Sequence, residues 1–147
     1  MKSIFEESTN DELIRRIDLV NENSKAQWGK MDVYQMLKHC TLWEEMISGD
    51  KKYKRVLLGR IFGKMALKNM IKDDKHVRHN MPTVPGFEIT DHGDFSSEKN
   101  KWIAMVKEHA NFSNTDFVHP FFGKMTKEQI GLLAYKHTDH HLRQFNC

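Results

Sequence analysis

Apolar positions recur at helical spacing along most of the chain. Leu13, Ile14, Ile17 and Val20 repeat every three or four residues behind Thr9 and Glu12, a capping-box pair, and this predicts a helix running to about Asn23. Asp32 followed by Gln35 marks a second start. Met36, Cys40, Trp43 and Ile47 form the inward stripe of that helix, which stops near Gly49. From Tyr53 to about Lys72, Leu57, Leu58, Ile61, Phe62, Met65 and Met70 give a third pattern, weakened by Gly59 and Gly63. Ser96 or Ser97 caps a fourth helix through Trp102, Ile103, Met105 and Val106. Thr126 with Gln129 opens the last, whose stripe runs Ile130, Leu133, Ala134, His137, His141 and Phe145. Five helical segments result, no alternating strand of any length competes with them, and the expected fold class is all-α.

Two irregular stretches separate these helices. Asp73 to Phe95 holds Pro82, Pro85, Gly86 and Gly93, and proline both lacks an N–H and biases its predecessor away from helix. So long a connection is expected to pack over a site and shape the mouth of a pocket. The second stretch, Asn111 to Met125, carries His119-Pro120-Phe121-Phe122-Gly123, whose aromatics are expected to staple onto the final helix.

The chain of 147 residues is long enough for one domain, spanning 1–147, to bury a core without covalent staples. Its two cysteines form no framework, because Cys40 falls on a helical core stripe and Cys147 is the last residue. Reduced thiols, a polar and acidic start, and the lack of any run of about 18 apolar residues lead to the expectation of a cytoplasmic protein. A net charge of +3 excludes little. The basic residues Lys51, Lys52, Lys54, Arg55, Arg60, Lys64, Lys68 and Lys72 read as the solvated side of an outer bundle helix. On that reading neither nucleic acid nor membrane is a partner. An exposed apolar side on the same helix would favour a homodimer.

Candidate chemistry sits in the run Lys136-His137-Thr138-Asp139-His140-His141. His137 and His141, four residues apart, are about 6 Å apart along a helix axis and face the same way, so both rings can reach one ion. They occupy core positions of the stripe. His39, three residues after Met36 and four before Trp43, borders the core of the second helix. Three imidazoles entering one interior need hydrogen-bond partners or a cation, since an unpaired buried polar group is costly. Core histidines satisfied by hydrogen bonds are the competing reading. His140 competes with His141 for the role, because an i, i+3 pairing with His137 is also sterically open; the stripe favours His141. His76, His79, His92, His109 and His119 lie in polar or turn-like surroundings and are expected to be solvated, with lining of the pocket the alternative for His119. Glu44 and Asp139 are weak candidates to support the site, with a surface position the simpler expectation.

The segment Trp28-Gly29-Lys30-Met31-Asp32-Val33-Tyr34-Gln35-Met36-Leu37-Lys38-His39-Cys40 and the closing run His137 to Gln144 resemble the DinB-like (DinB/YfiT-like) metalloprotein superfamily. More narrowly, the chain resembles a small branch of it with no assigned reaction, through nearly its whole length, including Pro82-Thr83-Val84-Pro85-Gly86-Phe87 and His119-Pro120-Phe121-Phe122-Gly123-Lys124. The resemblance implies a four-helix bundle with a long crossover connection and an additional short helix. It implies a divalent metal (zinc, nickel or iron) held by His39, His137 and His141, with a small-molecule substrate. Members of the superfamily include thiol-dependent S-transferases, and others carry the label of metal-dependent hydrolase. Leu142-Arg143 stands here where many members have Arg-Gly, a departure that touches the helix surface more than the ligands. Three functions follow as expectations: an S-transferase using a low-molecular-weight thiol, a metal-dependent hydrolase, or a non-catalytic helical binding module.

Overall fold

A computed structural model describes residues 1–147. Five α-helices form where the apolar spacing predicts them: α1 (Glu7–Leu19), α2 (Val33–Ser48), α3 (Leu57–Met70), α4 (Phe95–Lys107) and α5 (Lys127–Gln144). Two of the capping boxes close as expected. Asp32 Oδ1 accepts from Gln35 N at 2.8 Å while Gln35 Oε1 accepts from Asp32 N at 3.0 Å. Thr126 Oγ1 and Gln129 Oε1 make the same reciprocal pair at 3.2 and 3.1 Å. These bonds satisfy amides that the first helical turn leaves without carbonyl partners. Gly49, at φ 96°, ends α2 in the left-handed conformation.

Two starts differ from the sequence expectation. Thr9 lies inside α1, which begins at Glu7, and its buried hydroxyl donates back to Glu6 Oε2 at 3.2 Å. The helix stops at Leu19, where Val20 turns extended. At α4 the cap is Asp94, which accepts from Ser97 N at 2.6 Å, so Ser96 and Ser97 are helical.

Helices α1 and α2 each pack against both α4 and α5, giving a four-helix bundle. Leu13, Ile17, Met36, Leu37, Trp102, Ile130 and Leu142 are fully buried at its centre. The α2–α5 contact places His39 opposite the histidines of the last helix. The long crossover from α2 to α4 contains α3 and the proline-bearing loop. Its Phe87 is buried in the core cluster, and buried Lys136 of α5 donates to the carbonyls of Asp73 and Lys75 at 2.6 and 2.8 Å. The connection is therefore packed down on the bundle, as its length suggested.

The fifth helix, α3, lies outside the bundle against a short hairpin of β1 (Val118–His119) and β2 (Gly123–Lys124), antiparallel with Val118 opposite Lys124. Its orientation reverses the sequence expectation. Gly59, Gly63 and Leu67 face inward, and Leu57, Leu58, Ile61, Phe62 and Met65 face out. The glycines are required by close approach: a Cβ at Gly59 or Gly63 would lie 2.4 or 2.1 Å from the Phe121 carbonyl oxygen. Arg55 fixes the entry to the helix by donating to the carbonyls of Pro120 (3.2 Å) and Gly59 (3.1 Å). No helix is long and apolar enough to cross a membrane.

Candidate metal centre

One turn of α5 presents His137 and His141 on the side facing α2, and α2 presents His39 to them. One ring nitrogen from each of the three lies within 4.8 Å of the others. His39 Nε2 and His137 Nε2 are 3.0 Å apart. The His141 ring centroid is 4.7 Å from each of the other two. His39 and His141 are buried and His137 is half-buried.

The hydrogen bonds fix which nitrogens face the centre. His39 Nδ1–H donates to the Phe87 carbonyl at 3.1 Å, leaving Nε2 as the lone-pair side. His141 Nδ1–H donates to Gln144 Oε1 at 2.9 Å, which again leaves Nε2. Gln144 is oriented in turn, since its Nε2 donates to the Trp28 carbonyl at 2.7 Å. Gly29 permits that contact: a Cβ there would come within 2.8 Å of Gln144 Nε2, and the residue already sits at φ 81°. His137 stacks on Trp43, with centroids 4.5 Å apart and planes 20° from parallel, and its buried Nδ1 has no hydrogen-bond partner.

This arrangement fits a cation better than a closed hydrogen-bond network. His39 and His141 each keep Nε2 as an acceptor, and the single N–H of His137 can satisfy only one of them; His39 Nε2 is the one within reach. A shared divalent ion accepts lone pairs from all three. Ligand bonds of about 2.0–2.1 Å at tetrahedral angles set nitrogens about 3.3 Å apart, close to the observed His39–His137 spacing. The electrostatics agree. Burial lowers the pKa of all three, and neighbouring imidazoles add to the depression at His137 and His141, so each is held in the neutral form that a metal needs. The donor set is all nitrogen, which suits zinc, nickel, iron or copper alike.

His140 takes no part. It is half-buried, facing Trp28 and His79, which stack on each other with centroids 3.7 Å apart. Glu44 is not the surface residue the sequence suggested. It is buried away from the three histidines, with Oε2 2.8 Å from His109 Nε2 and Oε1 unpartnered. Asp139 is half-buried and accepts from Arg16 Nη1 at 2.8 Å.

Two of the histidines expected to be solvated are buried instead. His109 forms the pair with Glu44. His119 Nδ1 accepts from the amides of Phe121 and Phe122 at 3.0 and 3.1 Å, and burial, with the nearby Arg55 charge, pushes its pKa down to about 3. His76, His79 and His92 are exposed as expected. Sequence reasoning missed the Phe87 carbonyl, the Trp43 stack and the supporting role of Gln144. Only Gln144 left a signal, three residues after His141 and hence on its face of the helix.

Compared with known proteins, residues 5–147 match one family model, described as Protein of unknown function (DUF1569). No curated protein and no solved structure matches.

Proposed function

The chain belongs to this DUF1569 family, and we propose that it is a divalent-metal-dependent enzyme of the thiol-dependent S-transferase type, with His39, His137 and His141 as the metal ligands. The observation that carries the reading is the convergence of three neutral imidazoles from two helices, with one ring nitrogen of each within 4.8 Å of the others. The resemblance to the DinB-like metalloprotein superfamily belongs to the same proposal. Zinc, nickel and iron all suit the donor set, and the substrate is a small molecule.

When bound, an ion with three protein ligands keeps a position open, at which a thiol or a water loses its proton more easily. The protein's own part is orientation. The Phe87 carbonyl holds the His39 ring, the Trp28–Gln144 relay holds His141, and Trp43 packs flat on His137. Such supporting contacts fix the tautomer and direct the lone pair. A specific observation favours thiol transfer over hydrolysis. A hydrolase gains from a carboxylate that moves a proton beside the ion, and the two carboxylates that were weak candidates for that place are engaged elsewhere, Glu44 with His109 and Asp139 with Arg16. Thiol transfer depends less on such a base, because a thiol gives up its proton far more readily than water does even before an ion binds it.

Cobalt-substituted protein tests the proposal. Addition of a low-molecular-weight thiol should shift the visible absorption of the cobalt centre, and His141→Ala should abolish the shift. A spectrum indifferent to thiols, with chelator-sensitive turnover of ester substrates, would replace this reading by the hydrolase. Folded protein that takes up no cobalt would replace it by a non-catalytic binding module.

A further inference from the structure

The outward face of α3 is the least expected surface of the molecule. Leu57, Leu58, Ile61, Phe62 and Met65 are each between 47% and 75% exposed, and they fall on one side because they recur at i, i+1, i+4, i+5 and i+8. Gly59, Gly63 and Leu67 anchor the opposite side to the hairpin, so the apolar stripe cannot turn inward without losing that close contact. A stripe of five large apolar side chains on a held helix calls for a partner.

Charge identifies the partner's chemistry. Residues 51–72 contain eight Lys and Arg and no Asp or Glu. The remaining 15 basic residues are outweighed by 20 acidic ones, so the segment is a cationic island on an otherwise acidic protein. Lys51 pairs with Glu45, while Arg55 and Lys64 donate to backbone carbonyls. Lys52, Lys54, Arg60, Lys68 and Lys72 make no ion pair, although acidic residues are plentiful elsewhere. Arg60 and Lys68 lie along one edge of the apolar stripe, where long stems can lie on apolar surface while the charge reaches outward.

We propose that α3 is an interfacial helix that docks this protein on an anionic phospholipid bilayer, with Leu57, Leu58, Ile61, Phe62 and Met65 entering the headgroup boundary and the flanking Lys and Arg meeting the lipid phosphates. An amphipathic helix with basic flanks and a Leu/Phe face meets the physical requirements for lying in that plane. Juxtaposed basic residues draw such a helix to negatively charged leaflets. A second copy of the chain fits less well, because stacking two α3 faces sets one cationic island against the other. Lysine is also depleted from the cores of protein interfaces. Nucleic acid would use the charge and leave the apolar stripe in water.

Co-sedimentation of the full chain with vesicles tests this, using phosphatidylcholine alone and phosphatidylcholine with phosphatidylserine, at low and at raised salt. Binding is expected only with phosphatidylserine, falling as salt rises. Arg60→Glu with Lys68→Glu should weaken it by at least tenfold, and Ile61→Ser with Phe62→Ser should abolish it. All four side chains are solvent-facing, and an unchanged far-UV circular dichroism spectrum confirms that the variants remain folded. In a Phe62→Trp variant, whose new indole is one of four, tryptophan emission should shift further to the blue on vesicles than in the wild-type protein. Failure to bind phosphatidylserine vesicles at low salt would overturn the proposal. So would self-association in sedimentation equilibrium that Ile61→Ser abolishes without any vesicle binding, which would assign the face to a second copy.

Discussion

His119 makes the interior of this protein sensitive to acid in a way that can be calculated. Its ring is 4% exposed, packed between Trp43 and Phe122, and its Nδ1 accepts two backbone amides. Burial is the main cause that lowers its pKa from 6.5 to about 3, with Arg55 adding to the effect. In the unfolded chain the ring titrates near 6.5, so between about pH 6.5 and pH 3 the unfolded state binds the proton and the native state does not. Stability is therefore fully present above pH 6.5 and falls as the pH drops through that window. At about 1.4 kcal/mol for each pH unit, the loss from this one ring reaches about 2 kcal/mol by pH 5. His39, His137 and His141 act in the same direction, so the wild-type slope alone does not isolate His119. His119→Asn does, because the Asn Oδ1 can take the place of Nδ1 as acceptor for the two amides while removing the titration. Urea unfolding of both proteins at pH 7 and pH 5 should show the wild type losing about 2 kcal/mol more than His119→Asn. Parallel losses in the two proteins would refute the reasoning.

Gly63→Ala puts a Cβ 2.1 Å from the Phe121 carbonyl oxygen, a backbone atom that cannot step aside. Overpacking costs about 1–3 kcal/mol against a gain of up to about 1 kcal/mol in helix propensity, so net destabilisation is expected, together with faster amide hydrogen exchange in α3. Gln144→Leu removes the acceptor of His141 Nδ1–H and should weaken zinc binding to the metal-stripped protein by about 10–100-fold in calorimetric titration. Unchanged affinity would show that the Trp28–Gln144 relay does not orient the ligand. Glu44→Leu leaves His109 Nε2 in the core without its hydrogen-bond partner and should cost about 1–3 kcal/mol in urea unfolding without altering metal affinity, because neither residue is among the three clustered histidines.

The helices were legible because their signals are local. Asp32 with Gln35 and Thr126 with Gln129 close their boxes within one turn, and the stripe that carries His137 and His141 needs only the 3.6-residue period. His39 was legible for the same reason, since it borders the stripe of Met36, Cys40 and Trp43. The failures have a common physical origin in long-range packing. Nothing near Leu57 or Ile61 reveals that two glycines will dock on the Phe121 backbone and turn the apolar side of α3 to solvent. Nothing near Glu44 announces His109, 65 residues away. The turn-like setting of His119, beside Pro120 and Gly123, made it look solvated, whereas the tight turn into β2 folds its ring under Phe122 and gives its Nδ1 two amides. The Phe87 carbonyl reaches His39 across 48 residues, and only the tertiary fold supplies that pairing.

The three-histidine metal site is open to elemental analysis of protein purified without an affinity tag or added metal, alongside His39→Ala, His137→Ala and His141→Ala. Near-stoichiometric divalent metal is expected in the wild type, with its loss from all three variants, each still helical by circular dichroism. Folded wild-type protein that stays metal-free even after incubation with zinc and nickel would contradict a metal site there.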